Sequence, residues 1–201
     1  MPTEKRSGQV ERTTRETSVQ AEMCLDGQGE ADIDTGVGFL DHLLEMLAAH
    51  GLFDLSVKAT GDLHVDGHHT VEDVGIVLGK AFNKALGDKA GIRRFAHCSV
   101  PMEEALAAVS VDIGGRSHLS YMVPFKTTHI GDFDVELIQE FFQAFCRHSQ
   151  ITLHIEVIRG ENSHHIAESI FKASARTLRR AASIDPRAPD SGCRVGLIPA
   201  G

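Results

Sequence analysis

The sequence has few aromatic residues and few cysteines. No tryptophan, one tyrosine and four cysteines occur among its 201 residues. The cysteines, at positions 24, 98, 146 and 193, are far apart and form no Cys-x-x-Cys motif. They are therefore interpreted as reduced packing residues of a cytoplasmic protein.

Further absences argue against whole classes of protein. No apolar run approaches the ~20 residues that span a bilayer, and the polar N-terminus has no apolar segment typical of a secretory signal. The net charge is −8 and the chain has no Lys/Arg run, which argues against nucleic-acid binding. With 42% hydrophobic and 24% charged residues, the composition is that of a globular protein with one good core or two small ones.

Histidine is the residue type in excess, with twelve copies. Four of them fall in a motif that occurs twice, in which two adjacent histidines are followed three residues later by a glutamate. The copies are His68-His69-Thr70-Val71-Glu72 and His164-His165-Ile166-Ala167-Glu168. A single pair often just begins a solvated helix, but two copies at matched positions indicate a duplicated unit that brings two metal-binding edges together.

Helix geometry limits how these motifs bind metal. Adjacent side chains on a helix point about 100° apart, so neighbouring histidines do not easily chelate one ion, and each pair suits two different sites. Glu72 and Glu168 can reach either site. Imidazole and carboxylate donors without thiolate suit Mn, Fe, Co, Ni or Zn.

The periodicity predicts an α+β fold of two β-β-α-β-α halves, with sheets covered by helices on one face. Residues 1–90 form the first half and 91–184 the second within one compact domain, and 185–201 form a loop that is mobile or closes over a ligand as a lid. Asp26-Gly27 and Gly114-Gly115 are interpreted as hairpin turns. Strands are predicted within 8–25 and at 31–34, 52–60, 105–112, 116–123 and 151–158, and helices at 39–50, 69–86, 134–148 and 165–182.

The repeat adds one candidate ligand to each half. His42 lies 26 residues before His68, and Glu140 lies 24 residues before His164. If the connection between the two helices is two residues shorter in the second half, His42 and Glu140 occupy equivalent positions. Together the candidates provide two ions with four protein ligands each and leave positions open for a substrate. The eight metal ligands are His42, His68, His69, Glu72, Glu140, His164, His165 and Glu168.

Three segments resemble one known family over nearly the whole chain. They are GVGFLDHLLEMLAAHGLFD at 36–54, DGHHTVED at 66–73 and NSHHIAESIFK at 162–172. All three resemble imidazoleglycerol-phosphate dehydratase of histidine biosynthesis. The resemblance implies a duplicated fold like ribosomal protein S5 domain 2, two Mn²⁺ ions per active site (other divalent transition metals being possible), and a homo-oligomer, a 24-mer of trimers with metals bound between subunits.

The resemblance also implies roles for single residues. Seven of the eight metal ligands match the family. The eighth is Glu140, at a position where the family often has histidine. The Glu140 carboxylate either binds the metal ion or lies outside its coordination sphere. The implied catalytic residues are Glu16, Glu72 and Glu168. The implied phosphate ligands are Arg94, Arg116 and Lys172, with Arg194 in place of the lysine of the family's C-terminal loop.

The implied reaction is the dehydration of D-erythro-imidazole-glycerol phosphate, a small phosphorylated imidazole, to imidazole-acetol phosphate. An imidazole ring deprotonated to a metal-stabilised imidazolate expels hydroxide from the side chain and gives a diazafulvene-like intermediate. A positioned carboxylate then removes a proton from the neighbouring carbon, and the resulting enol becomes a ketone.

Two other functions share these ligands. One is a hydrolase that uses a metal-bound hydroxide, and the other is a non-catalytic metal-storage or assembly protein. The remaining histidines are interpreted as core or surface residues, His50 among them as a favourable cation at a helix C-terminus. His154 is the best candidate among them for supporting a metal ligand from behind.

Overall fold

The computed structural model describes residues 5–187, which form two halves with a common order of strands and helices. The first half consists of β1 (Ser7–Thr13), β2 (Thr17–Cys24), β3 (Ala31–Asp34), α1 (Gly38–Gly51), β4 (Asp54–Gly61) and α2 (His68–Leu86). The second half consists of β5 (Phe95–Met102), β6 (Ala105–Asp112), β7 (His118–Met122), the short strands β8 (His129–Ile130) and β9 (Phe133–Asp134), α3 (Glu136–Ser149), β10 (Thr152–Arg159) and α4 (Ser163–Ala182).

Each half builds one four-stranded sheet, and the two sheets have the same topology. The strand orders are β1-β2-β4-β3 and β5-β6-β10-β7. In both sheets one edge strand, β3 or β7, runs parallel to its neighbour, and the other pairs are antiparallel. The predicted α+β fold with duplicated halves is therefore confirmed, although each four-stranded sheet has one more strand before the first long helix than the sequence indicated, and the second half adds the short pair β8 and β9.

The four helices lie between the two sheets and join the halves. Helix α2 packs on β1 and β2, and α4 packs on β5 and β6, while the close helix pairs cross between halves, α1 with α4 and α2 with α3. One continuous apolar core results, and phenylalanines of α2, α3 and α4 meet in it, with ring centroids of Phe142 and Phe171 4.9 Å apart. Among the helices of residues 5–187, none is both long and apolar enough to cross a membrane.

The helix boundaries follow from local hydrogen bonding. The side chain of Asn162 accepts hydrogen bonds from the backbone N–H groups of His164 and His165 and so caps the start of α4. Helices α1 and α3 are each 14 residues long and end at a residue in the left-handed conformation, Leu52 with φ 51° and Gln150 with φ 58°. The predicted helices agree with these bounds to within about two residues, which is the usual uncertainty of helix ends.

Both predicted hairpin turns are wrong. After Asp26-Gly27 the chain does not return beside β2; it crosses to the far side of β4, where β3 pairs in parallel. The reason lies in Asp54, whose Oδ1 accepts the backbone N–H groups of Gln28, Gly29 and Glu30 and draws the chain across.

The glycine pair of the second half behaves in the same way. Gly115 has a positive φ of 83° that favours glycine, but the following strand, β7, pairs in parallel with β10 instead of returning to β6. The hairpins of the two four-stranded sheets are β1–β2 and β5–β6, and they turn at Arg15-Glu16 and Glu103-Glu104, which carry no glycine or asparagine signal; the short pair β8–β9 turns at Gly131-Asp132. Strand β5 was therefore not predicted.

The end of the described chain is attached to the second half. Ile184 forms an antiparallel bridge with Ile92, and the Asp185 N–H donates to the carbonyl of Gly91. Of the predicted lid at 185–201, residues 188–201, which include Arg194, lie outside the described range.

The close approach of α2 to α3 gives a first prediction. A Cβ atom added to Gly79 would lie 2.6 Å from the Phe145 carbonyl oxygen and 3.1 Å from the Ser149 nitrogen, which are backbone atoms. We expect Gly79→Ala to lower the free energy of unfolding by about 1–3 kcal/mol, although alanine favours a helix by ~1 kcal/mol. Urea unfolding at one fixed protein concentration measures the change. Gly38→Ala, with no atom within 4 Å of the new Cβ, is the control and should be neutral or stabilising.

A second prediction concerns the crossover that replaces the first hairpin. The backbone N–H of Gln28, helped by those of Glu30 and Gly29 and by Lys5, holds the pKa of Asp54 below its usual value of 3.8 against the opposing effect of burial. Since the folded pKa is the lower one, the charge of Asp54 stabilises the fold above pH 3.8 and this contribution is lost as the pH falls.

We therefore expect Asp54→Asn to be about 1 kcal/mol less stable than the unmodified chain at pH 7. The difference should shrink as the pH falls through 4 toward 2, because the parent carboxyl then becomes protonated. Unfolding at a series of pH values measures this. A constant difference at all pH values would contradict the assigned role of the charge, and Asp34→Asn, at the exposed end of β3, serves as the control.

Candidate functional site

Helices α1 and α4, which come from different halves, bring three metal-binding side chains together. His42 lies on α1, and His164 and Glu168 lie one turn apart on α4. The Nε2 atoms of both histidines are 2.9 Å from Glu168 Oε1, and one ligand atom of each residue lies within 4.8 Å of the others. Phe39 packs against both imidazoles, with ring centroids 6.1 and 5.2 Å away. Two imidazoles and a carboxylate thus converge on one point beside an apolar wall; we call them the inner cluster.

Glu168 is the buried member of the inner cluster. Its side chain is 9% exposed, and Lys172, one turn further along α4, forms an ion pair with its second oxygen. Burial alone would raise the pKa of this carboxyl, but hydrogen bonds from Lys172, His42 and His164 outweigh burial and lower the pKa to about 2. Glu168 is therefore a carboxylate at neutral pH, which is the form that binds a metal.

The equivalent residues of the other helix pair are Glu140 on α3 and His68 and Glu72 on α2. His42 is the fifth residue of α1 and Glu140 is the fifth residue of α3, so the duplication places them at the same position. Glu140 and His68 line one cavity of about 840 Å³, which lies between α3 and the segment before α1. Within residues 5–187, however, the donor atoms of His68, Glu72 and Glu140 do not approach to within 4.8 Å of one another as those of the inner cluster do.

The second histidine of each motif points away from the first. The imidazole planes of His68 and His69 are 87° apart with centroids at 6.2 Å, and those of His164 and His165 are 90° apart with centroids at 6.3 Å. The two rings of each motif are thus nearly perpendicular, and the helical spacing separates the two side chains by about 100° around the axis. His69 and His165 therefore face a different place from His68 and His164, and we call them the outer histidines.

A carboxylate holds each outer histidine. His69 Nδ1 lies 3.0 Å from Asp62 Oδ2, and His165 Nδ1 lies 2.8 Å from Glu104 Oε2. The hydrogen bond to Asp62 raises the pKa of His69, and the one to Glu104 raises the pKa of His165. Glu104 has a pKa lowered to about 2, first by the backbone N–H of Asn162 and then by His165.

The remaining candidate residues lie outside the inner cluster. Glu16 is exposed in the β1–β2 turn, where Thr14 Oγ1 accepts its N–H. Arg94 and Arg116 converge on Asp112: Arg94 Nε is 2.6 Å from Oδ1, and Arg116 Nη2 is 4.0 Å from Oδ2. Of the candidate phosphate-binding cations described, Lys172 is the one in contact with the inner cluster.

One sequence-based interpretation is corrected and several contacts were missed. His154 does not support a metal ligand within this chain, because it alternates with the buried Leu153 and Ile155 and so faces away from the helices, beside His118.

Two residues that contact the outer histidines, Asp62 and Glu104, were not identified from the sequence. Both lie in turns, where exposed carboxylates are common. Asp62 is only seven residues before His69, and this short separation is the one sequence feature that hints at either pairing.

The comparisons with known proteins agree with one another. The family model described as imidazoleglycerol-phosphate dehydratase matches residues 35–178. A protein named imidazoleglycerol-phosphate dehydratase from Methylobacillus flagellatus is 54% identical over 194 residues, which are 96% of this chain and 95% of that protein. One of the same name from Methylorubrum extorquens is 56% identical over 182 residues, 90% of this chain and 93% of that protein.

Two crystal structures carry the same description. The dehydratase from Staphylococcus aureus superposes with a TM-score of 0.81 and 38% identity, covering 89% of this chain and 99% of that one. The enzyme from Pyrococcus furiosus, in complex with (S)-C348, gives a TM-score of 0.79 and 36% identity, covering 90% of this chain and 98% of that one.

The inner cluster gives a third prediction. Glu168→Gln removes the carboxylate that both histidines face, so we expect the affinity for added Mn²⁺ to fall at least tenfold and the number of ions bound at saturation to drop. Isothermal titration of metal-free protein measures both quantities. Glu156→Gln, the same substitution at an exposed position of β10, is the matched control. Equal binding by the Glu168 variant and the control would exclude the inner cluster as a metal site.

Proposed function

The chain belongs to the imidazoleglycerol-phosphate dehydratase family of hydro-lyases in histidine biosynthesis, and from this membership we propose its reaction. It converts D-erythro-imidazole-glycerol phosphate to imidazole-acetol phosphate by loss of water. The observation that carries the proposal is the inner cluster with Lys172 against it, since it combines metal donors and a cation at one point. That combination suits a substrate with both an imidazole ring and a phosphate.

The donor set fits divalent transition metals. Nitrogen and carboxylate oxygen donors without thiolate suit Mn²⁺ among others, and the inner cluster has a spacing compatible with one ion. We assign one ion to His42, His164 and Glu168 and a second to the equivalent Glu140, His68 and Glu72, with the outer histidines His69 and His165 completing the two sites. When bound, the two Mn²⁺ ions would supply positive charge to both ring nitrogens of the substrate and favour the deprotonated ring.

The protein's own groups are proposed to handle the protons. Glu16 takes the proton from the carbon next to the one that loses hydroxide, after the substrate has passed to a diazafulvene-like form. Glu16 suits this role because its carboxylate is exposed in the β1–β2 turn, where a substrate can reach it. Glu168, with a pKa near 2, stays charged at neutral pH and acts as a ligand rather than a proton donor, and Glu72 is proposed to act in the same way.

Phosphate binding is assigned to four cations. Lys172 would hold the phosphate next to the inner cluster, and Arg94, Arg116 and Arg194 would add the forked geometry that suits phosphate oxygens. Both arginines lie near Asp112, Arg94 in direct contact at 2.6 Å and the more exposed Arg116 at 4.0 Å, so two guanidinium groups are available near one point. Arg194 belongs to the proposed lid at 185–201, which would follow the two halves at 1–90 and 91–184 of one compact domain.

A homo-oligomer is proposed because a single chain offers incomplete sites. The outer histidines have partners of their own, Asp62 and Glu104, apart from the inner cluster, so they suit a site shared with another copy. We propose the 24-mer of trimers that the family resemblance implies. A cytoplasmic location is also proposed, and it is consistent with the free thiols of Cys24, Cys98 and Cys146.

The assay follows the ketone product from imidazoleglycerol phosphate in metal-free protein, with and without added Mn²⁺. We expect turnover only with metal, and we expect Glu16→Gln to lower kcat by about 10²–10⁴-fold while the bound metal is unchanged. Glu11→Gln, on the outward face of β1, is the matched control and should keep full activity.

Other outcomes identify the competing functions. Release of inorganic phosphate without a ketone would indicate a hydrolase. Bound Mn²⁺ without any turnover by the unmodified protein would indicate a storage or assembly protein, and either result would overturn the proposal.

A further inference from the structure

We propose that Glu104 and Asp62, which are outside the ligand set assigned above, are positioning residues that aim the outer histidines His165 and His69 at the metals. This inference rests on the proposed function, since it requires metal at those histidines. In each pair a carboxylate faces Nδ1, so Nδ1 carries the proton and donates it, and Nε2 keeps its lone pair for an ion. A carboxylate behind a ligating histidine fixes the ring orientation and raises its basicity.

Glu104 is fixed on both of its oxygens. Oε2 accepts from His165 Nδ1 at 2.8 Å, and Oε1 accepts the backbone N–H groups of Glu161 at 3.2 Å and Asn162 at 2.8 Å. The Asn162 side chain in turn caps α4. One carboxylate at the β5–β6 turn therefore sets both the ring of His165 and the loop from which its helix begins.

Asp62 joins an outer histidine to the proposed base. Its side chain accepts from His69 Nδ1 at 3.0 Å, and its backbone N–H donates to the carbonyl of Glu16 at 3.1 Å. The Val65 N–H donates to the Asp62 carbonyl at 2.8 Å and closes the turn around it. A displacement of Asp62 would thus move a metal ligand and Glu16 together.

The two carboxylates reach their histidines by different routes. Glu104 comes from the hairpin of its own half, while in the first half the matching hairpin position carries Glu16 and the support comes from the loop after β4. The same result, a histidine with Nδ1 occupied, is reached twice from unrelated positions in the duplicated fold. A chance ion pair on the surface would not be expected to recur at the equivalent histidine of the other half.

Glu103 provides a matched control. It neighbours Glu104 in the same turn, and the carboxylate oxygens of both lie near His165. If the turn itself bound the ion, both glutamates would contribute. If Glu104 orients His165, only Glu104 matters.

The experiment is a Mn²⁺ titration of metal-free protein by isothermal calorimetry, with the number of ions at saturation measured separately by elemental analysis. For Glu104→Gln we expect the affinity to fall about 10–100-fold with the number of bound ions unchanged, and activity to recover at high Mn²⁺. Glu104→Asp should recover part of the affinity. Asp62→Asn should likewise weaken Mn²⁺ binding through His69; the substitution leaves in place the backbone N–H that donates to the carbonyl of Glu16. Thermal unfolding of the metal-free variants checks that the fold is kept.

Three results would overturn the inference. A lower number of bound ions in Glu104→Gln would make Glu104 a ligand. An equal loss of affinity in Glu103→Gln would assign the metal to the whole turn, and unchanged affinity in both Glu104→Gln and Asp62→Asn would remove any positioning role. The failure of the proposed function is distinct, since the unmodified protein would then bind no Mn²⁺ or form no ketone.

Discussion

The pairing of helices across the two halves is the constraint on which the site depends. Helix α1 packs on α4 and α3 packs on α2, so each His-His-x-x-Glu motif meets the first helix of the other half. Neither half could bring His42 and Glu168 together by itself. In the other pair, the close approach of α2 to α3 rests on small side chains, because at Gly75 and Gly79 an added Cβ would lie within 2.7 Å of carbonyl oxygens of α3. The metal donors are therefore placed by the core, whose packing tolerates little displacement.

The duplication is symmetric in its backbone and asymmetric in its charge. One helix pair offers two histidines and a glutamate, and the equivalent positions of the other offer one histidine and two glutamates. The carboxylate of the inner cluster is balanced by Lys172, while the second set has one negative charge more than the first. Two carboxylates brought to one point repel each other unless a cation lies between them, and in residues 5–187 the donor atoms of this second set do not all lie within 4.8 Å of one another. An ion bound by His68, Glu72 and Glu140 would have two carboxylate ligands and one imidazole, whereas an ion in the inner cluster would have one carboxylate and two imidazoles.

Sequence patterns were sufficient where a feature is local and repeated. The four helices, the short strand at 31–34 and the two motifs are all predicted from residue spacing within short segments. Because the motif occurs in both halves, the repeat also indicated that its histidines and glutamate belong together. The hairpins were not predictable from glycine, because Asp54 and the parallel edge strands decide where the chain goes after Asp26 and Gly115, and those contacts join distant residues. The same limit applies to Glu104, which lies 61 residues from His165 and has no periodic signal.

The outer surfaces of the two sheets show where the halves have diverged. The outward positions of β1 and β2 are polar, with Gln9, Glu11, Gln20 and Glu22 among them, whereas the second sheet exposes Phe95, Met122 and Ile158 on its outward face. These three side chains lie on three different strands, and apolar side chains scattered singly in this way are normal on a protein surface. Because equivalent helices pack on the two sheets, α2 on β1 and β2 and α4 on β5 and β6, the difference is confined to outward residues that these contacts do not constrain.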